Sequence, residues 1–347
     1  MKFKAVTLAI IAILLSNVAI FAMPDNKRPK AKKKQGDRLV SILPASDAVA
    51  VFEAKRFLDE GLPRVLSANP TLLGNITGHI DMIREKAGID IRKFDRVAVG
   101  VAYQPGTAGT TDFQPVLIAT AGDLNFDALI AAAKASSNGT SRIEMFGGKS
   151  IFIFKVDPAK VTKTPTAASR APGAFERMLA HEVAVTAIDK DTIAVGTLER
   201  VKETLAGKSR VSADITGLLV TDGTGIMSFA MRPPGGMAKL LPLQSDDLGK
   251  TINSIQYIAG SLDLNANGTA VHLLARTKTP ADALSLRDTL EFGQSLGKVA
   301  FASKKRPDQQ VYYRLIDNAK IAMHGSDITV DVTMPQADVD VLVAGLK

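Results

Sequence analysis

From Leu39 onward the chain alternates between two patterns. In one, every second residue is apolar; in the other, apolar residues return every three to four positions. The first period sends side chains to alternate faces of a strand, and the second lines one face of a helix. By that rule AVAVFEA (48–54), RVAVGVAY (96–103), PVLIATA (115–121), KSIFIFKV (149–156), EVAVTAI (182–188) and TIAVG (192–196) read as strands. Further on, GIMSFAMR (225–232), SIQYIAGSLDL (254–264), TAVHLLART (269–277), QVYYRLI (310–316) and ITVDVTM (328–334) read the same way. Between them, Phe126, Leu129, Ile130 and Ala133 fall on one helical face, as do Leu198, Val201 and Leu205. Thr197 and Gly207 bracket the second of these helices as N-cap and stop. Thr279 followed by Pro280 opens a third, with Ala283, Leu286, Leu290 and Leu296 assigned to one stripe.

The pattern repeats on a larger scale. Residues 185–207 and 321–345 both read strand, polar hairpin, strand, then a helix ending at Gly; residues 113–134 and 268–290 both read strand, loop, helix. These echoes predict an α+β fold made of two similar strand/helix units, 42–212 and 213–347, arising by internal duplication. Largely antiparallel sheet is expected, as one extended sheet or as two lobes, with helices packed on one face. The stretch DPAKVTKTPTAASRAPG (157–173) breaks the alternation and reads as a surface loop.

Ahead of this body, MKFKAVTLAIIAILLSNVAIFA (1–22) places Lys2 and Lys4 before an apolar core and ends on a small residue. That layout predicts a signal peptide cleaved between Ala22 and Met23, and therefore an exported, periplasmic or extracellular protein. A rival reading stays open. The 19 residues from Ala5 to Met23 can just span a bilayer, and the basic run beyond them resists translocation, as in an uncleaved anchor.

Charge changes the picture only locally. The formal net charge is +8, but residues 1–22 carry +2 and residues 23–38 carry +5, which leaves the body at +1. Without Trp, and with only 4 Tyr, that body lacks the clustered cations and stacking aromatics of a nucleic-acid groove, so no nucleic-acid partner is expected. Residues 23–41 read as a disordered linker. Lys27, Arg28, Lys30, Lys32, Lys33 and Lys34 repel one another, and Pro29 breaks the run. Such a linker is a solvated tether. It also offers contact with an anionic membrane surface, at about 1 kcal/mol per cation near the head groups.

Candidate chemistry is sparse. The chain has no Cys, which removes thiol catalysis, disulfides and Cys-ligated metals. Its 4 His (His79, His181, His272, His324) have no partner at metal or catalytic spacing, and no nucleophile elbow, phosphate loop or zinc motif occurs. Asp263, Asn265, Asn267 and Gly268 match the opening of a calcium loop, but the position of its bidentate Glu is Leu274, inside an apolar strand. An Asn-Gly hairpin turn explains these residues better. Accordingly no catalytic, metal or cofactor residue is assigned, and no cofactor is expected.

LPASDAVAVFEAKRFL (43–58), AGIDIRKFDRVAVGVAY (87–103) and AVGTLERVKETLAG (194–207) together resemble a group of bacterial exported proteins carrying a domain of unknown function. The resemblance implies export and an α+β fold, and brings no catalytic residue with it. The expectation is a non-enzymatic binding or structural protein of the cell envelope, with an envelope protein as possible partner. One alternative is a carrier of a hydrophobic or lipid ligand, suggested by apolar residues on both faces of IFIF and VLIAT; another is an enzyme with a non-local site.

Overall fold

The computed structural model describes residues 37–87, 90–105, 111–122, 125–136, 141–155, 182–220, 225–235, 246–265 and 268–346. The signal segment with its Ala22–Met23 junction, the six cations from Lys27 to Lys34, His181 and the stretch 157–173 lie outside them.

The described strands are β1 (Ala48–Phe52), β2 (Phe94–Pro105), β3 (Thr111–Ala121), β4 (Ser141–Phe146), β5 (Lys149–Lys155) and β6 (Glu182–Asp189). They continue with β7 (Thr192–Gly196), β8 (Met227–Met231), β9 (Ile255–Asn265), β10 (Gly268–Thr277), β11 (Lys320–His324) and β12 (Asp327–Met334). All twelve form one sheet in the order β11-β12-β10-β9-β8-β1-β2-β3-β7-β6-β5-β4. Every pairing in it is antiparallel. The two stretches of chain meet at β1 and β8, where Ala50 lies opposite Phe229.

The helices are α1 (Arg38–Ile42), α2 (Ala54–Arg56) running through a π-turn (Phe57–Gly61) into α3 (Leu62–Val65), α4 (Pro70–Ala87) and α5 (Phe126–Ser136). Later come α6 (Leu198–Ala206), α7 (Ala213–Thr216), α8 (Asp246–Asn253), α9 (Pro280–Ala302), α10 (Pro307–Asp317) and α11 (Gln336–Ala344). Local chemistry sets several of their starts. Asp37 accepts from Leu39 N at 2.9 Å to open α1, Thr197 caps α6, and Thr279 accepts from Asp282 N at 3.1 Å with Pro280 at N1 of α9.

Register separates two faces of the sheet. On the back, α1 and α7 bury Leu39, Val40, Leu43, Ile215 and Leu219 against Val49, Val51, Ala98, Val116, Ile118 and Ala230. Each such aliphatic side chain contributes roughly 1.5–3 kcal/mol. α6 lies on the same side, with Val201 against Ile151, Ile153 and Ala184. On the front, α5 packs Ile130, Phe126 and Leu129 on Phe154, Val183 and Val185 (Ala133, the fourth position predicted for that face, lies outside the described side chains). α3, α10 and α11 cover Val332 and Met334 of β12, while α9 covers Ile328 through Ala283 and Leu286.

Helices thus occupy both faces, which corrects the expectation of a single helical face. The cause is visible in KSIFIFKV. Consecutive apolar residues need cover on both sides, so Ile151 and Ile153 meet α6 while Phe152 and Phe154 meet α5. By contrast β12 alternates Asp327, Thr329 and Asp331 with buried or half-buried Ile328, Val330 and Val332, and among the described residues the helices that pack on it meet the apolar side.

Three further expectations are corrected. QVYYRLI (310–316) is not a strand but most of α10, with Pro307 at its start and Val311 and Leu315, one turn apart, buried against β12. Its β-branched and aromatic residues favour a strand locally, and tertiary packing of the four-residue spacing outweighs that preference. Leu296 does not share the stripe of Ala283 and Leu286, because ten residues at 100° each carry it off their face, and it is exposed. Residues 38–41, assigned to the linker, belong to α1, since Leu39 and Val40 are core residues.

Candidate functional site

The polar residues that drew attention in the sequence are not brought together. His79 sits on exposed α4 with Nδ1 2.6 Å from Asn75 O; His272 pairs with Asp331 across β10 and β12; His324 ends β11. Among the described residues no three acidic or His side chains are arranged to hold a metal. Of the calcium-like stretch, Asp263 and Asn265 lie on β9 and Gly268 opens β10, while Asn267 lies outside the described residues; Asp263 faces Arg56 at 3.4 Å and Leu274 packs into the back core. Gly268 has φ +132°, and a Cβ there would lie 2.1 Å from Met334 O, so glycine is required by conformation and space.

Two of the motifs behind the family resemblance do meet. LPAS (43–46) precedes β1, and the segment TLER (197–200) opens α6 on the back face. Arg200 is buried and its Nη2 donates to Ala45 O and to Ser46 Oγ, both at 2.9 Å; its Nη1 pairs with Glu203. Nearby, Arg96 bridges Asp37 at 2.7 Å and Glu53 at 2.6 Å. Burial pushes the Glu53 carboxyl above its ordinary value, against the pull of Arg96. These motifs form a clasp that fastens α1 and α6 to the sheet.

The front of the central strands differs. Phe52 on β1, Val97, Val99 and Val101 on β2, Leu117 on β3, Phe229 and Met231 on β8, and Ile258 and Leu262 on β9 share this face by register. Leu273 on β10 joins them across Gly260, where a Cβ would come within 2.8 Å of both Leu273 and Phe229. Each of these ten side chains is half-buried, and none belongs to the packed cores described above. α5 lies to one flank and α9, α10 and α11 to the other. Six strands at about 4.8 Å spacing make the field about 24 Å wide, and four residues of β2 make it about 13 Å long. The resulting footprint on the sheet is roughly 300 Å².

At one rim Tyr103 packs edge-on against Phe113, with ring centroids 5.3 Å apart. Burial, aided by the charge of Asp47, pushes its phenol up to about 12, so it stays a neutral hydrogen-bond donor at physiological pH.

Sequence reasoning pointed to IFIF and VLIAT as signs of a ligand-lining sheet. IFIF is accounted for by helices on both faces. Of VLIAT, Leu117 and the small, buried Ala119 lie on the front, opposite Val99 and Val97, while Val116 and Ile118 are core on the back. The signal for the field lay instead in AVAVF and VAVGV, where both faces are apolar but, among the described residues, the helices α1 and α7 bury only the back one.

No family model matches the chain, and no curated protein matches it. Three crystal forms of TP0453 resemble it in structure. Form III matches at TM-score 0.44 and 10% identity over 90% of this chain and 99% of that one. Form IV matches at 0.45 and 11% over 90% and 98%, and form I at 0.42 and 13% over 90% and 99%. Likenesses at this level carry no functional argument. Among the described residues no helix is long and apolar enough to cross a membrane.

Proposed function

We propose that the chain is an exported, non-enzymatic binding protein of the cell envelope that holds an apolar ligand on the front of its central sheet. The observation carrying this reading is the field from Leu117 to Leu273, apolar, half-buried and outside every packed core. The Tyr103 hydroxyl suits the polar end of such a ligand, which fits a lipid or other long hydrophobic molecule. The basic run from Lys27 to Lys34 is proposed to keep the protein near anionic head groups. Native mass spectrometry of protein purified without detergent from its natural host tests the ligand. A co-purifying lipid-sized mass is expected, and the double variant Val99→Asp/Leu117→Asp should lose it while keeping its circular dichroism. A ligand-free wild type, or equal loading of the variant, would overturn the reading. Mature protein beginning at Met23 supports export, and an intact Met1 counts against it.

We infer too that the fold arose by duplication. The order β1-β2-β3-β7-β6 is matched by β8-β9-β10-β12-β11, reading outward from the central pair. A short helix precedes β1 and β8, helical segments follow β1 and β8 and then β3 and β10, and a helix follows β7 and β12. The first unit adds the β4–β5 hairpin, and the closing helices differ in side, α6 on the back and α11 on the front.

A further inference from the structure

α9 is apolar on two sides, and only one of them is covered. Ala283, Leu286 and Leu290 face β12 and its neighbours, Gly297 admits Ile316 of α10 to 3.0 Å of its would-be Cβ, and Phe301 meets Tyr312 of α10. On the opposite side stand Phe292, Leu296 and Val299, spaced i, i+4 and i+7 and exposed by 65%, 56% and 76%. Gly293, Ser295 and Ala300, which flank the stripe, are small and uncharged. Three large apolar side chains this exposed side by side on one helix face form a contiguous apolar surface, the kind that marks an interaction site.

The occupant can be chosen from size and charge. From Phe292 to Val299 the stripe is only about 10 Å long at 1.5 Å per residue. That is far short of the roughly 800 Å² per partner that a stable protein interface buries. Shallow insertion between lipid head groups needs only a few apolar side chains with cations beside them. Those cations are present: Lys304, Lys305 and Arg306 follow the helix directly and are exposed, with Arg306 also held by Asp308 at 2.8 Å. Lys298 answers Asp317 at 2.9 Å. The acids of α9 nearest the stripe, Asp288 and Glu291, precede Phe292 and both face Arg287.

We propose that α9 is a membrane-docking helix, which seats Phe292, Leu296 and Val299 among the lipids of an anionic bilayer while Lys304–Arg306 contact the phosphates. The proposal is independent of the ligand reading, because the stripe points away from the sheet whose central face would hold that ligand. It also differs from tethering by the basic linker, since it places the contact on the folded body.

The test uses the whole chain and vesicles of phosphatidylglycerol and phosphatidylcholine (3:7), with pure phosphatidylcholine as the control. The natural chain has no Trp, so Leu296→Trp introduces a single fluorophore at an exposed site. Its emission should shift to the blue on anionic vesicles and be quenched by brominated acyl chains. In sedimentation, Phe292→Ser/Leu296→Ser/Val299→Ser should weaken binding at least about tenfold. That loss should persist when residues 23–36 are deleted. Each of Lys304→Ser and Lys305→Ser should cost about fivefold at low salt. Unshifted Trp emission with saturating vesicles, or unchanged sedimentation of the triple variant, overturns the proposal. So does a dimer in solution that the triple variant converts to monomer without any vesicle binding, which would make the stripe a self-interface.

Discussion

Replacing Arg200 with Met tests whether the clasp on the back face contributes to stability beyond filling space. Arg200 is 3% exposed, so its stem packs in the core and Met retains most of that volume. What is lost is polar. Ala45 O and Ser46 Oγ each give up a 2.9 Å bond from a charged donor, at about 1.5–3 kcal/mol apiece. Glu203 loses its ion pair, but its side chain is 43% exposed and returns to water, so that term stays below about 1 kcal/mol. One change offsets the loss: the buried Nε has no partner among the described residues, and Met removes that unmet donor. The net expectation is destabilisation by about 2–4 kcal/mol, read as a lower urea midpoint at unchanged slope. Glu203→Gln should cost less than about 1 kcal/mol in the same assay. If Arg200→Met lies within about 0.5 kcal/mol of the parent, or Glu203→Gln proves the more damaging, the clasp is not what holds α6 to the LPAS segment.

Other consequences can be measured alongside. Gly268→Ala forces a side chain into φ +132° and against Met334 O, so it should cost about 3 kcal/mol or more in urea unfolding. Gly325→Ala, at φ +63° in open space, should cost only about 1–2 kcal/mol. At Asp189 burial works to raise the carboxyl, yet hydrogen bonds from Asp191 and Thr192 and the charge of Arg38 outweigh it, leaving the group below 3.8. Its folded value lies under its unfolded one, so its contribution is present above pH 3.8 and lost as pH falls below it; Asp189→Asn should flatten that part of the urea midpoint against pH. Spectrophotometric titration should show one tyrosine ionising near 12 in the native protein, a step absent from Tyr103→Phe.

Much of the sheet could be read directly from side-chain period, because a strand capped on one or both sides has to be apolar accordingly. TIAVG spans β7 exactly as the pattern implies, and Thr279-Pro280 opens α9 where its capping chemistry directs. Where reading failed, a non-local term decided. Val311 and Leu315 are a strand by composition and a helix by what they bury against. The edge strand β4 (SRIEMF) alternates Ile143 and Met145 with Arg142 and Glu144, yet those two apolar side chains are exposed, so its period marks no core. The front field was hardest to see. AVAVF looks like any strand buried on both faces; α1 and α7 pack behind it, while in front the described residues give Phe52 the ring of Phe57, 5.2 Å away, at the margin of the field.

The uninterrupted row of twelve strands has a geometric result for whatever meets its middle. Neighbouring strands turn by about 20–25° on average, so the six from β3 to β10 accumulate on the order of 100° or more. The apolar field is then a quarter-turn ribbon, with its β3 edge and its β10 edge facing nearly perpendicular directions. A flat, rigid polycycle can touch only part of such a surface, whereas a bending chain can follow it from end to end. Selectivity would come from the pliancy of the guest rather than from any single contact.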